Sequence, residues 1–186
     1  MTFGLGVPLV ILLWSYIKKE RALIRLLNIY WKISSLILIS ILLLTDHRPI
    51  GYITFFVAPV LMVSSVWFWI DLNEELVDYP KGKALAVTVK IWRWCLTFYG
   101  LISLAISLMS LNCLSINEKE TCIPWNELPQ YMHVKTGALF GFLFGAQWTE
   151  PLASFFGYVF LIAYLVALLQ WFLIKLPKNG RIAGGF

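Results

Sequence analysis

The sequence has few charged residues and no polar stretch long enough to form a water-soluble domain. Only 13% of its 186 residues are charged, whereas 60% are hydrophobic and the mean hydropathy is +0.77. A soluble globule of this size needs more polar surface than these residues supply. The shortage of charge therefore excludes a soluble protein and indicates an integral membrane protein.

The motifs of common enzyme and nucleotide-binding classes are missing as well. The sequence contains no glycine-rich Rossmann or P-loop pattern, no HExxH motif and no paired CxxC motif. A nucleophile, a base and an orienting group do not occur together at a known spacing. We therefore expect a protein that is not an enzyme, and we predict no catalytic residue, metal site or cofactor.

Long apolar runs make up most of the chain. An α-helix rises 1.5 Å per residue, so about 20 apolar residues are needed to cross a bilayer. We expect an all-α integral membrane protein in which residues 1–186 form a single transmembrane helical domain. About five transmembrane helices are predicted, at 3–17, 26–45, 50–72, 84–111 and 152–174. The run at 137–149 is too short to cross and is predicted to form a short interfacial helix.

A charged connection, residues 71–83, joins the third and fourth predicted helices, and we call it the elbow. Its acidic residues share one helical face, and basic residues follow at the start of the fourth helix. Ion pairs and a solvated face are the simpler interpretation, and a divalent cation bound by the carboxylates is the alternative. The residues of the ion-pair network are predicted to be Asp71, Glu74, Glu75, Asp78, Lys83, Lys90 and Arg93.

Lysine and arginine are distributed unevenly between the two sides that five crossings would create. Twelve of them lie with the first connection, the elbow and the C-terminus, whereas three lie on the other side. Cytoplasmic segments carry such an excess, so we expect a cytoplasmic elbow and C-terminus and an outer N-terminus. Because these residues stay at helix ends, no nucleic-acid partner is expected, and the lipid bilayer is the first partner.

The polar segment 112–136 is predicted to be an outer loop, and it contains Cys113 and Cys122. Thiols on the outer side meet oxidising conditions, and a disulfide between these two would close a short loop. Two free thiols or a redox pair are the alternatives, since the sequence does not show geometry.

Small residues recur along two predicted helical stretches. In lipid, small side chains let helix backbones approach one another closely. The first stripe is predicted to pack the fourth helix inside its own bundle, and the second, on a segment too short to cross, to contact another protein. The residues of these two faces are Gly100, Ser103, Ser107 and Ser110, and Gly137, Gly141 and Gly145.

Three segments, IYWKISS (29–35), WFWIDLNEEL (67–76) and KIWRW (90–94), carry a resemblance. They are similar to an uncharacterised family of small polytopic membrane proteins found largely in cyanobacteria, a domain of unknown function. The resemblance implies a thylakoid or plasma membrane, with Cys113 and Cys122 facing lumen or periplasm, and it implies no catalytic residue. Contact with chlorophyll or a carotenoid is left open, because the sequence offers no specific ligand.

Two functions from different classes follow. Away from their ends the predicted spans lack ionisable residues, which favours an interaction protein over an ion or proton pathway. We expect a membrane-embedded accessory or assembly subunit of a larger membrane protein complex, which the resemblance places at a photosystem or its assembly intermediate. The alternative is a small-solute transporter or channel, which predicts a polar cavity lined by Ser64, Ser65, Ser103 and Ser107.

Overall fold

The structure is a computed structural model that describes residue 4 and residues 6–77, 84–114 and 122–181. The regular secondary structure within these ranges is entirely helical. The helices are α1 (Val7–Lys18), α2 (Arg21–Thr45), α3 (Pro49–Trp67), α4 (Ile70–Val77), α5 (Ala84–Ser110), α6 (Ile123–Phe144), α7 (Glu150–Gln170) and α8 (Leu176–Asn179). A 3₁₀ turn, Leu111–Leu114, follows α5, and a π-helical turn, Trp171–Lys175, lies between α7 and α8.

Within the described ranges, four helices are long and apolar enough to cross a membrane: α2, α3, α5 and the continuous helix Glu150–Lys178. They indicate a membrane protein, as the composition predicts. The first apolar run forms α1, whose 12 residues extend about 18 Å, less than a bilayer core of about 30 Å. Beside it, the Tyr30 hydroxyl of α2 donates a hydrogen bond to the Gly4 carbonyl. The fifth crossing is therefore not confirmed.

The third predicted helix is interrupted. α3 ends at Trp67 and α4 begins at Ile70, whereas the sequence predicts one helix over 50–72. Side-chain donors from other segments bind the last carbonyl groups of α3 and stabilise its end at this point.

Much of the predicted outer loop and most of the predicted interfacial helix form one helix, α6. It begins at Ile123, inside the segment 112–136, and ends at Phe144. Polar composition and two prolines favour a loop in the sequence, yet a helix tolerates a proline in its first turn, where Pro124 lies. α6 is not among the helices that are apolar enough to cross.

The chain divides into two compact units. Unit 1 comprises 1–34, 59–103 and 169–186, and unit 2 comprises 35–58 and 104–168. In unit 1, Leu26 and Ile29 of α2 pack with Trp69 and Leu72, and Trp171 lies against this core. Burial of these apolar side chains connects α2, α4 and the π-helical turn that follows α7.

Unit 2 is held by polar as well as apolar contacts. Asp46, in the turn between α2 and α3, accepts hydrogen bonds of 2.8 Å from Arg48 and from Ser154 of α7. Near the same end of α7, a Cβ built on Gly157 would lie 3.0 Å from the Leu43 side chain, so the two helices approach closely there.

The charged residues are divided unevenly between the units. Among the described residues, unit 1 has ten Lys and Arg against four Asp and Glu, whereas unit 2 has two against three. The excess of basic residues that the sequence predicts for one side is thus a property of unit 1.

Candidate functional site

The C-terminal end of α3 is bound by side chains from three other parts of unit 1. A helix leaves its last carbonyl groups without intrahelical partners, and positive charge near them is favourable. Three donors take these carbonyls: Arg93 Nη2 binds Val66 O at 2.9 Å, Asn73 Nδ2 binds Trp67 O at 3.0 Å, and Arg181 Nε binds Phe68 O at 2.7 Å. We call this group the α3 junction, and it joins α3 to α4, α5 and the C-terminal segment.

Arg93 is the buried charge of the junction, with 8% of its surface exposed. Its Nη2 also donates to Asn73 Oδ1, and its guanidinium lies 4.2 Å from the centre of the Trp67 ring. The expected pairing of Arg93 with an elbow carboxylate is therefore corrected. The buried guanidinium instead contacts a backbone carbonyl, an amide oxygen and an aromatic face.

One elbow carboxylate, that of Glu75, has a partner outside the predicted network. Glu75 of α4 accepts two hydrogen bonds, of 2.8 and 3.0 Å, from Arg25 of α2. This ion pair therefore connects α4 to α2, whereas the sequence predicts a connection to α5. Asp71 lies in the first turn of α4, and Glu74 and Lys90 are exposed. Asp78 and Lys83 lie outside the described residues. Among those described, no group of three His, Cys, Asp or Glu could hold a metal ion.

The small-residue stripe of α5 has contacts within its own chain. A Cβ built on Gly100 would lie 2.3 Å from Val63 Cγ2, so only glycine lets α5 approach α3 this closely. The hydroxyls of Ser107 and Ser110 donate to the carbonyls of Leu104 and Ser107 in their own helix. Ser103 is half-buried.

α6 is anchored near its start by three contacts within unit 2. Cys122, the residue before the helix, forms a disulfide with Cys113 in the 3₁₀ turn after α5. The Tyr52 hydroxyl of α3 donates to Asn126 Oδ1 at 3.1 Å, and the Phe55 ring lies edge-on to Trp125. These contacts explain why a polar segment forms a helix here.

The end of α6 folds back onto α7 through aromatic rings. Gly145 caps α6 in the left-handed conformation, with φ of 65°. The Phe140 ring then lies 4.9 Å from that of Trp148, which stacks 5.8 Å from Phe156 of α7. The result is a helical hairpin.

The glycines of α6 face this returning segment. A Cβ built on Gly137 would lie 3.7 Å from Trp148 Cβ, and one on Gly141 would lie 3.7 Å from the Ala146 carbonyl oxygen. The structure therefore gives Gly137 and Gly141 a contact with their own chain, and it makes Gly145 a helix cap. Contact of these glycines with another protein stays untested.

The opposite side of α6 carries exposed, mainly apolar side chains. Phe142 is 87% exposed and Leu139 is 63% exposed. The spacing follows the i, i+3, i+7 repeat with which helices pack against helices. We call this stripe the α6 face, and it consists of Leu128, Tyr131, Lys135, Leu139 and Phe142.

Sequence reasoning missed Asn73, Arg25 and Arg181 as binding residues. Asn73 and Arg181 bind backbone carbonyls, and Arg25 binds a carboxylate 50 residues away; no local pattern marks such contacts. The one usable signal was sidedness, because Arg25 and Glu75 fall on the same predicted side. The α6 face was missed because the segment before residue 137 is predicted as a loop.

A family model described as "Protein of unknown function (DUF3177)" matches residues 1–184. The expectation of an uncharacterised family is confirmed, while its cyanobacterial setting stays a prediction. No curated protein and no solved structure matches the chain.

Proposed function

The chain belongs to the DUF3177 family, whose description states no activity, and from its own residues we propose that it is a membrane-embedded accessory or assembly subunit of a larger membrane protein complex. It acts through protein contact and not through chemistry. The observation that carries this proposal is the α6 face.

The α6 face has the properties of a surface that receives a partner helix. Its apolar residues recur over about four turns, on a helix that is not apolar enough to cross a membrane. Contacts within unit 2 fix both ends of α6, so the face is presented in a defined orientation. Lys135, whose ammonium lies 5.5 Å from the centre of the Tyr131 ring, places one cation within the stripe. The partner helix would therefore be apolar, with an acceptor group at the level of Lys135.

The alternative, a small-solute transporter or channel, receives less support from the serines expected to line its cavity. Ser65 Oγ donates to the Met62 carbonyl at 2.7 Å, and Ser107 Oγ donates to the Leu104 carbonyl at 2.9 Å. Each hydroxyl has thus used its one donor within its own helix. The buried charge of Arg93 is likewise held by contacts of the α3 junction.

The proposed sidedness places the basic helix ends of unit 1 and the C-terminus in the cytoplasm. The disulfide and α6 would then lie toward the outer side. An outer N-terminus depends on the fifth crossing and stays a prediction. The photosynthetic setting, at a thylakoid or plasma membrane, rests on the resemblance of the three sequence segments alone, and the identity of the bound proteins tests it.

The test is affinity purification of the tagged full chain from native membranes, in mild detergent and without crosslinking. Mass spectrometry then quantifies each protein that co-purifies. We expect a partner at near-stoichiometric amount with the wild-type chain, and loss of that partner with the double variant Leu139→Ser, Phe142→Ser. Both side chains are exposed, so the variant should keep its fold.

The matched control is the double variant Ile162→Ser, Val166→Ser on α7, which also replaces two exposed apolar residues. It should retain the partner. A wild-type chain that purifies without any stoichiometric protein would overturn the proposed function. Equal loss of the partner from both variants would remove α6 as the docking surface.

A further inference from the structure

The turn between α1 and α2 concentrates basic residues at the end of an apolar helix. α1 ends at Lys18, and α2 begins at Arg21, so only Lys19 and Glu20 connect them. Lys19 has a φ of 56°, and its N–H bonds the Tyr16 carbonyl at 3.1 Å, which closes a tight turn. Since the turn is short, three cations lie within four consecutive residues.

All three of these basic side chains are exposed. Within the described part of the chain, the side chains of Lys18, Lys19 and Arg21 form no hydrogen bond or ion pair, whereas Arg25, one helical turn further on, is bound to Glu75. The turn therefore contains more cations than anions. Glu20, between Lys19 and Arg21, offsets one of these three charges, and the remaining excess of positive charge attracts an anion.

An open depression lies beside the turn. Its volume is about 460 Å³, and its described lining consists of Arg21, Ile24 and Arg25. The Arg25 guanidinium is held by Glu75, so Arg21 supplies the available guanidinium beside the Ile24 side chain. Guanidinium matches phosphate oxygens in geometry and charge, whereas the isoleucine suits hydrocarbon.

The neighbouring surface changes from apolar to basic at this point. Ile17, the residue before Lys18, is 77% exposed, and Tyr16 is also exposed. In a membrane protein this transition marks headgroup depth, where basic side chains meet lipid phosphates.

We propose that the α1–α2 turn binds the headgroup of an anionic phospholipid, with the phosphate at Arg21 and the lysines and the hydrocarbon along Ile24. A zwitterionic lipid also carries a phosphate, but its ammonium group would be repelled by the excess of positive charge at the turn. The site therefore selects phosphatidylglycerol over phosphatidylcholine. This selection is independent of the α6 face and of any protein partner.

The test uses the purified full chain in nanodiscs of phosphatidylglycerol and phosphatidylcholine at equal amounts, and native mass spectrometry counts the lipids that it retains. We expect the wild-type chain to retain phosphatidylglycerol preferentially. Arg21→Gln should lower this preference by about fivefold, which corresponds to about 1 kcal/mol per basic residue near a lipid surface.

Lys178→Gln is the matched control, because it removes an exposed cation from the same unit at another helix end. It should leave the preference at the wild-type value. Equal losses in the two variants, or no preference in the wild type, would overturn the site. If Arg21→Gln does not fold, Lys19→Gln serves in its place.

A second experiment with inorganic phosphate distinguishes a lipid site from a simple anion site. The thermal stability of the detergent-purified chain is measured with phosphate alone and with phosphatidylglycerol. We expect stabilisation by the lipid and none by phosphate at equal concentration, since phosphate lacks the hydrocarbon that Ile24 contacts. Equal stabilisation by both would show an anion site without lipid selectivity and would contradict the proposal.

Discussion

At the scale of single residues, the positions that matter most for stability are those where no other residue type could make the same polar contact or allow the same close helix approach. Arg93 is buried, and it connects α5 to Val66 and Asn73. Gly100 lies where any larger residue would meet Val63. The burial cost of a charge is recovered only if its partners stay in place, so such residues fix the depth of one helix against another.

Replacement of Arg93 by Met should destabilise the chain by about 3 kcal/mol, because it leaves the Val66 carbonyl and the Asn73 amide without their donor and removes the contact with Trp67. Thermal unfolding in detergent measures the effect. Lys90→Met, one turn away at an exposed position, is the control and should change stability by less than about 0.5 kcal/mol. Equal effects would mean that Arg93 has no special role in the junction.

Gly100→Ala should destabilise the chain by about 1 to 3 kcal/mol, because the new methyl group would overlap Val63 and force α5 away from α3. Gly137→Ala should be neutral or stabilising by up to about 1 kcal/mol, since its methyl group would make ordinary contact and alanine favours the helix. Denaturation of both variants under identical conditions compares them. A harmless alanine at position 100 would contradict the packing described for α5.

The sequence predicts some properties of these residues and not their hydrogen-bond partners, for physical reasons. That Gly100 allows a close helix approach follows from its small size, which can be read from the sequence. The acceptors of Arg93 could not be predicted, because they depend on the interruption of α3 at Trp67. At that interruption Asn73 and Arg181 bind backbone carbonyls, and they approach these groups only in the folded chain.

At the scale of helices, α6 shows how tertiary contacts override composition. Residues 123–136 contain prolines and polar residues that favour a loop, yet they form the first part of a 22-residue helix. The contacts of Tyr52 and Phe55 with its first turns favour the helix over the loop. Long apolar helices such as α5 need no such help, and their positions follow from the sequence to within a few residues.

The disulfide at the start of α6 should stabilise unit 2 by holding the chain between α5 and α6. Cys113 and Cys122 are nine residues apart, and closing a loop of this length is worth about 3 kcal/mol. The double variant Cys113→Ser, Cys122→Ser should unfold at lower denaturant concentration, whereas Cys95→Ser should not. Alkylation and intact mass measurement of the chain isolated from membranes would contradict this if both thiols were free.

At the scale of the whole molecule, charge and hydropathy are the properties from which the membrane class and the sidedness are predicted. The membrane class follows from composition, and the described part of unit 1 contains the basic excess that the sequence assigns to one side. The number of crossings is harder to predict, because α1 is apolar but only 12 residues long. The proposed sidedness places the α1–α2 turn at the cytoplasmic headgroups and α6 toward the outer side.

Cysteine labelling measures this sidedness directly. Intact spheroplasts that express the Cys95→Ser variant are gently reduced and treated with a maleimide that cannot cross membranes. A second variant, also built on Cys95→Ser, carries Cys113→Ser and Cys122→Ser and has Lys178→Cys as its single cysteine. We expect Cys113 and Cys122 to be labelled from outside and the cysteine at position 178 only after lysis. Labelling at position 178 in intact cells, with Cys113 and Cys122 reached only after lysis, would show that the bundle has the opposite orientation.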